Sequence, residues 1–232
     1  MIPRNVAEAV QAPKPKRPEI SVPPMEDVER LLEAARNNRD YAVICTAIFT
    51  GMCLGELVGL KWEDIDLNAK TIAVRRTLQR LTGQGLIFTD PKSQKSRRQI
   101  VIPSALTDIL REHRKAQREL KLLYWPAYRE HDLVFPRPDG SPEGPSNLSN
   151  RFKALAARVG LKGLRFHDLR HLHATILLAQ GIHPKVVQER LVHQSITLTL
   201  DTYSHVIPTL QREAADALEK LFGRQMGGNS PE

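Results

Sequence analysis

The chain has 232 residues, 41% hydrophobic and 26% charged, with a net charge of +8. That length allows one large domain or two small ones, and that composition excludes a chain disordered throughout. The basic excess points to an anionic partner, nucleic acid first, and says nothing about fold.

Residues 1–24 are expected to be irregular. Pro3, Pro13, Pro15, Pro18, Pro23 and Pro24 forbid a long helix, and Arg4, Lys14, Lys16 and Arg17 make the stretch basic. From Met25 the spacing of Val28, Leu31, Leu32 and Ala35 predicts one apolar helix face. Residues 41–50 are nearly all apolar and predict a buried helix. Tyr41–Phe49 is the longest apolar run, far short of the ~20 residues of a membrane span, and no secretory leader is visible. Gly51 breaks the run, and a short helix is expected over Leu54–Gly59. Cys45 and Cys53 would lie roughly 12 Å apart along one helix, too far for a disulfide, so free thiols and a reducing compartment follow.

Strands are predicted at Thr71–Leu78, Leu86–Thr89 and Ile100–Ile102, with a turn from Gly83 to Gly85, giving a small antiparallel sheet. Helices are predicted at 104–124, 147–159, 167–180, 184–191 and 208–222. Prolines between Pro126 and Pro145 mark an irregular connection around the apolar run Leu133–Phe135. The fold class is therefore mainly α with a small antiparallel β-sheet.

Four segments carry candidate chemistry. In His167-Asp168-Leu169-Arg170-His171, a helix places His167, Arg170 and His171 on one face, able to hold a phosphate through guanidinium and imidazole donors. Alone, the same pattern reads more simply as a polar face with one satisfied buried histidine. A zinc site from His167, His171 and His173 lacks a supporting Cys or acid cluster. Leu191-Val192-His193 precedes Asp201-Thr202-Tyr203-Ser204-His205, where a lone Tyr is uninformative. Lys92, Lys95, Arg97 and Arg98 crowd a strand connection that is either a solvated turn or a hairpin reaching a DNA backbone. Thr50-Gly51-Met52-Cys53-Leu54-Gly55-Glu56-Leu57, followed by Lys61-Trp62-Glu63-Asp64-Ile65-Asp66, reads by itself as a helix break and a strand entry.

Taken in order, these blocks resemble the tyrosine recombinases of the phage integrase family, from about residue 20 to 222. The resemblance implies that Tyr203 attacks a DNA phosphodiester and becomes a 3′-phosphotyrosine. It implies that Arg170 grips the non-bridging oxygens. It gives His167 and His193 further hydrogen bonds and a share in proton transfer. Lys92, with Lys95 as runner-up, would protonate the departing 5′ oxygen, and Glu56 matches the acid of the first block. No metal and no ATP are implied.

Two positions depart from the family pattern. Cys53 stands where the first catalytic arginine is expected, and a thiol cannot make the two-pronged phosphate contact. Losing one comparable donor costs roughly 10²–10³ in rate. A catalytic thiolate at Cys53 is disfavoured, because the anion would repel phosphate. Val192 stands where a glycine is usual, and its branched side chain is expected to crowd the site or alter how Tyr203 docks.

The organisation implied is a basic linker over 1–20, a catalytic domain over 21–222 and a flexible tail over 223–232, without the family's N-terminal core-binding domain. Lys14, Lys16, Arg17, Lys95, Arg97 and Arg98 are the expected DNA contacts. The partners implied are double-stranded DNA and further copies of the chain, a tetramer on DNA and a monomer or weak oligomer without it, in a bacterial cytoplasm. Two alternatives stand: a recombinase-derived module that binds DNA without cutting, and a type IB topoisomerase using the same chemistry.

Overall fold

A computed structural model describes residues 23–90, 97–192 and 207–226. Eight α-helices and five short strands are described: α1 Met25–Ala35, α2 Tyr41–Thr50, α3 Leu54–Val58, β1 Ile65–Asp66, β2 Thr71–Val74, β3 Thr77–Leu81, β4 Gly85–Thr89, β5 Arg98–Val101, α4 Ser104–Leu123, α5 Pro145–Arg158, α6 Asp168–Ala179, α7 Pro184–Leu191 and α8 Ile207–Met226. The mainly helical class is as expected.

Helix α2 is the centre of the molecule. Every residue from Ala42 to Ile48 is buried, as is Thr50, so no face is left for solvent. Its two buried threonines return their hydroxyls to the carbonyls one turn back, Thr46 to Ala42 (2.7 Å) and Thr50 to Thr46 (2.5 Å). Around it pack α1, α4 and α6. Val28, Leu31 and Ala35 of α1, Leu106 and Leu110 of α4, and Leu169 and Leu172 of α6 turn inward to one shared core.

The strands form two antiparallel sheets rather than the one expected. One has the order β1-β2-β5, with Ile72 opposite Ile100, and the other is the β3–β4 hairpin, with Leu78 opposite Phe88. The single strand expected over Thr71–Leu78 is broken at Arg75-Arg76. Arg76 is drawn to Asp64 and, at 2.9 Å, to Glu63, which takes the chain out of the first sheet. The turn expected at Gly83–Gly85 is there, with both glycines at positive φ (77° and 78°). Leu133, Val134 and Phe135 are buried, and Val134 N–H donates to the Leu60 carbonyl at 2.9 Å.

Two helix ends differ from expectation. Helix α5 begins at Pro145, since a proline in the first turn lacks only an N–H that has no partner there. Helix α8 runs on to Met226, so residues 223–226 are helical rather than tail. Residues 1–22 and 227–232 lie outside the described residues, and with them Lys14, Lys16 and Arg17. No described helix is long and apolar enough to cross a membrane.

Candidate active site

The end of α2 sets the first part of the site. Gly51 caps the helix at φ 65°, ψ 16°. A Cβ here would stand 2.6 Å from Leu191 Cδ2 and 2.7 Å from His173 Cδ2. Glycine is therefore required both for the left-handed backbone and for the close approach of α6 and α7. Two residues on, Cys53 caps α3, and its N–H donates to Glu56 Oε2 at 2.9 Å. Gly55 lets α3 lie against the next strand, for a Cβ there would meet Thr77 Oγ1 at 2.4 Å.

Glu56 is buried and faces Arg98 through two hydrogen bonds, Nη1 to Oε1 at 2.8 Å and Nη2 to Oε2 at 3.0 Å. Burial works to raise the Glu56 carboxyl, but Arg98 and the Cys53 N–H outweigh it, and the net displacement is below the usual carboxylate range. Arg98 was expected on a DNA-facing hairpin. Its side chain is instead 9% exposed and serves the acid of the first block, which the run of basic residues could not reveal. Arg97 keeps a surface position, 60% exposed and paired with Asp90.

The Cys53 thiol is pushed up to about 11 by burial and then by the neighbouring Glu56 charge. It is neutral at ordinary pH, so the thiolate reading fails on electrostatics. Cys45 is also a free thiol, buried in α2.

Helix α6 brings the second part. Asp168, its first residue, accepts from the Arg165 N–H at 2.7 Å and from the Arg165 guanidinium at 2.9 Å, which fixes the helix start beside His167. The His167 and His171 rings meet edge to face, 5.1 Å between centroids. Burial lowers both imidazoles, with His171 at about 4, and the Arg170 charge lowers them further. The shared face expected of His167, Arg170 and His171 is present. Arg170 donates to the Gly51 carbonyl at 2.7 Å and to the Leu191 carbonyl, so it ties the end of α2 to the end of α7.

The sequence offers His173 only as one member of a weak zinc pattern. It turns away from that face into the core, 4% exposed, where Nδ1–H donates to the Ile48 carbonyl at 2.8 Å. Among the described residues no group of three or more His, Cys, Asp or Glu could hold a metal. Lys92, Lys95, His193 and Tyr203 lie outside the described residues.

The described residues thus gather Arg170, Glu56 and, through Glu56, Arg98 at Gly51–Cys53, with His167 near Arg170: a cationic niche with one carboxylate committed to Arg98. The Phage integrase family model matches residues 24–209. The chain belongs to the phage integrase family of tyrosine recombinases. It is 36% identical over 208 residues to a tyrosine recombinase XerC-like protein of Caldanaerobacter subterraneus subsp. tengcongensis, covering 85% of this chain and 53% of the relative. It is 33% identical over 176 residues to the ICEBs1 integrase of Bacillus subtilis, covering 76% of this chain and 47% of the relative. The chain therefore spans about half the length of these two relatives. In fold it is similar to the Tn1549 transposon integrase solved in complex with transposon right-end DNA, with TM-score 0.72 and 21% identity over 91% of this chain and 71% of that one.

Proposed function

We propose that this chain is the catalytic unit of a site-specific DNA recombinase, one that cuts and rejoins duplex DNA through a phosphotyrosine at Tyr203, and that Cys53 impairs its cutting. The observation that carries the reading is Arg170 lodged between the Gly51 carbonyl (2.7 Å) and the end of α7, with His167 beside it. This arrangement joins the first block, the His-x-x-Arg helix and the end of α7, which His193 and Tyr203 follow in sequence. A scissile phosphate there would meet guanidinium and imidazole donors where its charge grows in the transition state. Lys92 would supply the proton to the leaving 5′ oxygen, and His193 a further hydrogen bond. DNA is the proposed substrate; the Tn1549 relative is seen bound to DNA.

The neutral, half-buried Cys53 thiol favours a second reading, a module that holds DNA without cutting it. Self-association on DNA is proposed through α8, whose Leu218, Leu221 and Phe222 are all more than half exposed. An apolar groove of about 620 Å³, lined by Met25, Leu32, Phe49, Ile176, Ile182 and Val186, is a surface on which such a stripe could seat.

A nicked suicide substrate tests the central claim. Covalent adduct on a denaturing gel is expected to be strong for Cys53→Arg, weak or absent for Cys53, and abolished by Tyr203→Phe in the Cys53→Arg background. Efficient cutting with Cys53 would show that another cation serves the phosphate. Binding without cutting by both would favour the module that only holds DNA.

A further inference from the structure

Arg190, near the end of α7, is not a residue that the family motifs single out. Its guanidinium nevertheless reaches three other elements. Nη2 donates to the Phe49 carbonyl near the end of α2 at 3.2 Å. Nη1 and Nη2 reach the Val101 carbonyl at the end of β5 at 3.4 and 3.3 Å. Nε–H points to His173 Nε2 on α6 at 3.4 Å. These are the elements that carry the described site. Helix α2 leads into Gly51 and Cys53, β5 starts with Arg98, and α6 bears Arg170 beside His167. In sequence, α7 and its cap Val192 are followed by the segment that holds His193 and Tyr203.

His173 is fitted to receive Arg190. Its Nδ1–H is given to Ile48, so Nε2 presents a lone pair. Burial pushes this imidazole down to about 4, so the acceptor state holds at neutral pH. Because carbonyls and an imidazole are neutral acceptors, these contacts do not themselves offset the positive charge of Arg190, which feels the charge of Arg98. A surface staple for α7 would need only one of these bonds. Three acceptors on three elements fix the helix end in translation and in rotation.

We propose that Arg190, received by His173, is a positioning residue: it sets the exit of α7, and so the start of the nucleophile-bearing segment, against the Gly51–Cys53 block and Arg98. The catalytic part of this inference rests on the recombinase reading; the positioning part does not.

Two measurements keep those apart. The first is amide hydrogen exchange of this chain and of Arg190→Met, which keeps the aliphatic stem but loses the donors. Exchange in peptides covering α7 and its cap, 184–192, is expected to rise at least about tenfold, with the amides of α2 unchanged and Arg190→Lys in between. The second is the rate of adduct formation on the suicide substrate in the Cys53→Arg background. Arg190→Met is expected to slow it about 10²-fold with DNA affinity held, the size of effect that a 1 Å misplacement produces, and Arg190→Lys is expected to recover part of it. Exchange that is unchanged, or that rises equally in α2, overturns the proposal, as does a cleavage loss matched by an equal loss of DNA affinity. Failure of Cys53→Arg to cut at all would count against the recombinase reading, and the exchange result would still decide the role of Arg190.

Discussion

Val192 ends α7 at φ 54°, ψ 41°, in the left-handed region. The sequence suggested that its branched side chain would crowd the site; the structure gives a backbone reason for glycine at this place. Left-handed backbone costs a residue with a Cβ about 1–2 kcal/mol, and the extra freedom that glycine loses on folding offsets part of that gain. Val192→Gly is therefore expected to stabilise the fold by about 1 kcal/mol, read as a higher urea midpoint with unchanged slope. A lower midpoint would mean that packing of the valine outweighs the strain. At Cys53 the sequence showed which residue was unusual but not what state it is in. Its neutrality comes first from burial, which the motif does not reveal, and then from Glu56 three residues away, whose place in the motif does not show that it lies against the thiol. Gly51 was legible only as a helix break, because the side chains that press on it, Leu191 and His173, are more than 120 residues distant.

At the scale of elements, what was legible was what is local. The apolar spacing of Val28, Leu31 and Ala35 and the nearly all-apolar run of α2 marked those helices before any contact was known. The break between β2 and β3 had only a faint local sign, Arg76 in the inward register of Ile72, Val74 and Leu78, because the groups that displace Arg75-Arg76 are Asp64 and Glu63 of the preceding turn. The bidentate grip of Arg151 on Asp40 (2.7 and 2.9 Å), which pins α5 to the start of α2, spans 111 residues and leaves no local sign. The α2–α6–α7 junction has a pH consequence through His173. Its folded imidazole is pushed by burial from 6.5 to about 4, so below pH 6.5 the unfolded chain takes up a proton that the folded chain refuses. The contribution is full above pH 6.5 and is lost as pH falls toward 4, by up to roughly 1.4 kcal/mol per pH unit. His171, also at about 4, contributes in the same sense and to the same extent, and His113 and His167 are lowered as well. Urea denaturation between pH 7 and pH 5 is therefore expected to show stability falling with acid, and His173→Gln to flatten that fall whatever its effect at pH 7. An unchanged slope in the variant would show that His173 is protonated in the folded chain.

For the whole molecule the deciding quantity is charge, and its distribution matters more than its sum. Of the 34 Lys and Arg residues behind the +8 net charge, some are cancelled locally by acids: Arg98 by Glu56, Arg151 by Asp40 and Glu143, Arg76 by Asp64. Arg75 and Arg97 stay outside, 59% and 60% exposed, on an open basic cavity that also holds Arg98 and lies between the two sheets. A duplex lying across this face would release counterions as its phosphates are neutralised, and each contact adds about −0.9 to the slope of log affinity against log salt. With about four contacts, raising salt from about 50 to about 200 mM is expected to weaken binding about 10²-fold, measured by fluorescence anisotropy on a labelled duplex. The same titration addresses Cys53. An arginine there would add one phosphate contact, so Cys53→Arg is expected to steepen the slope by about 0.9 and tighten binding most at low salt. If the slope does not change, an arginine at position 53 does not reach the phosphate, and the cations already in the niche, Arg170 and Arg98, hold it without help. If neither protein shows a salt-dependent affinity, DNA is not the anion that this surface was built for.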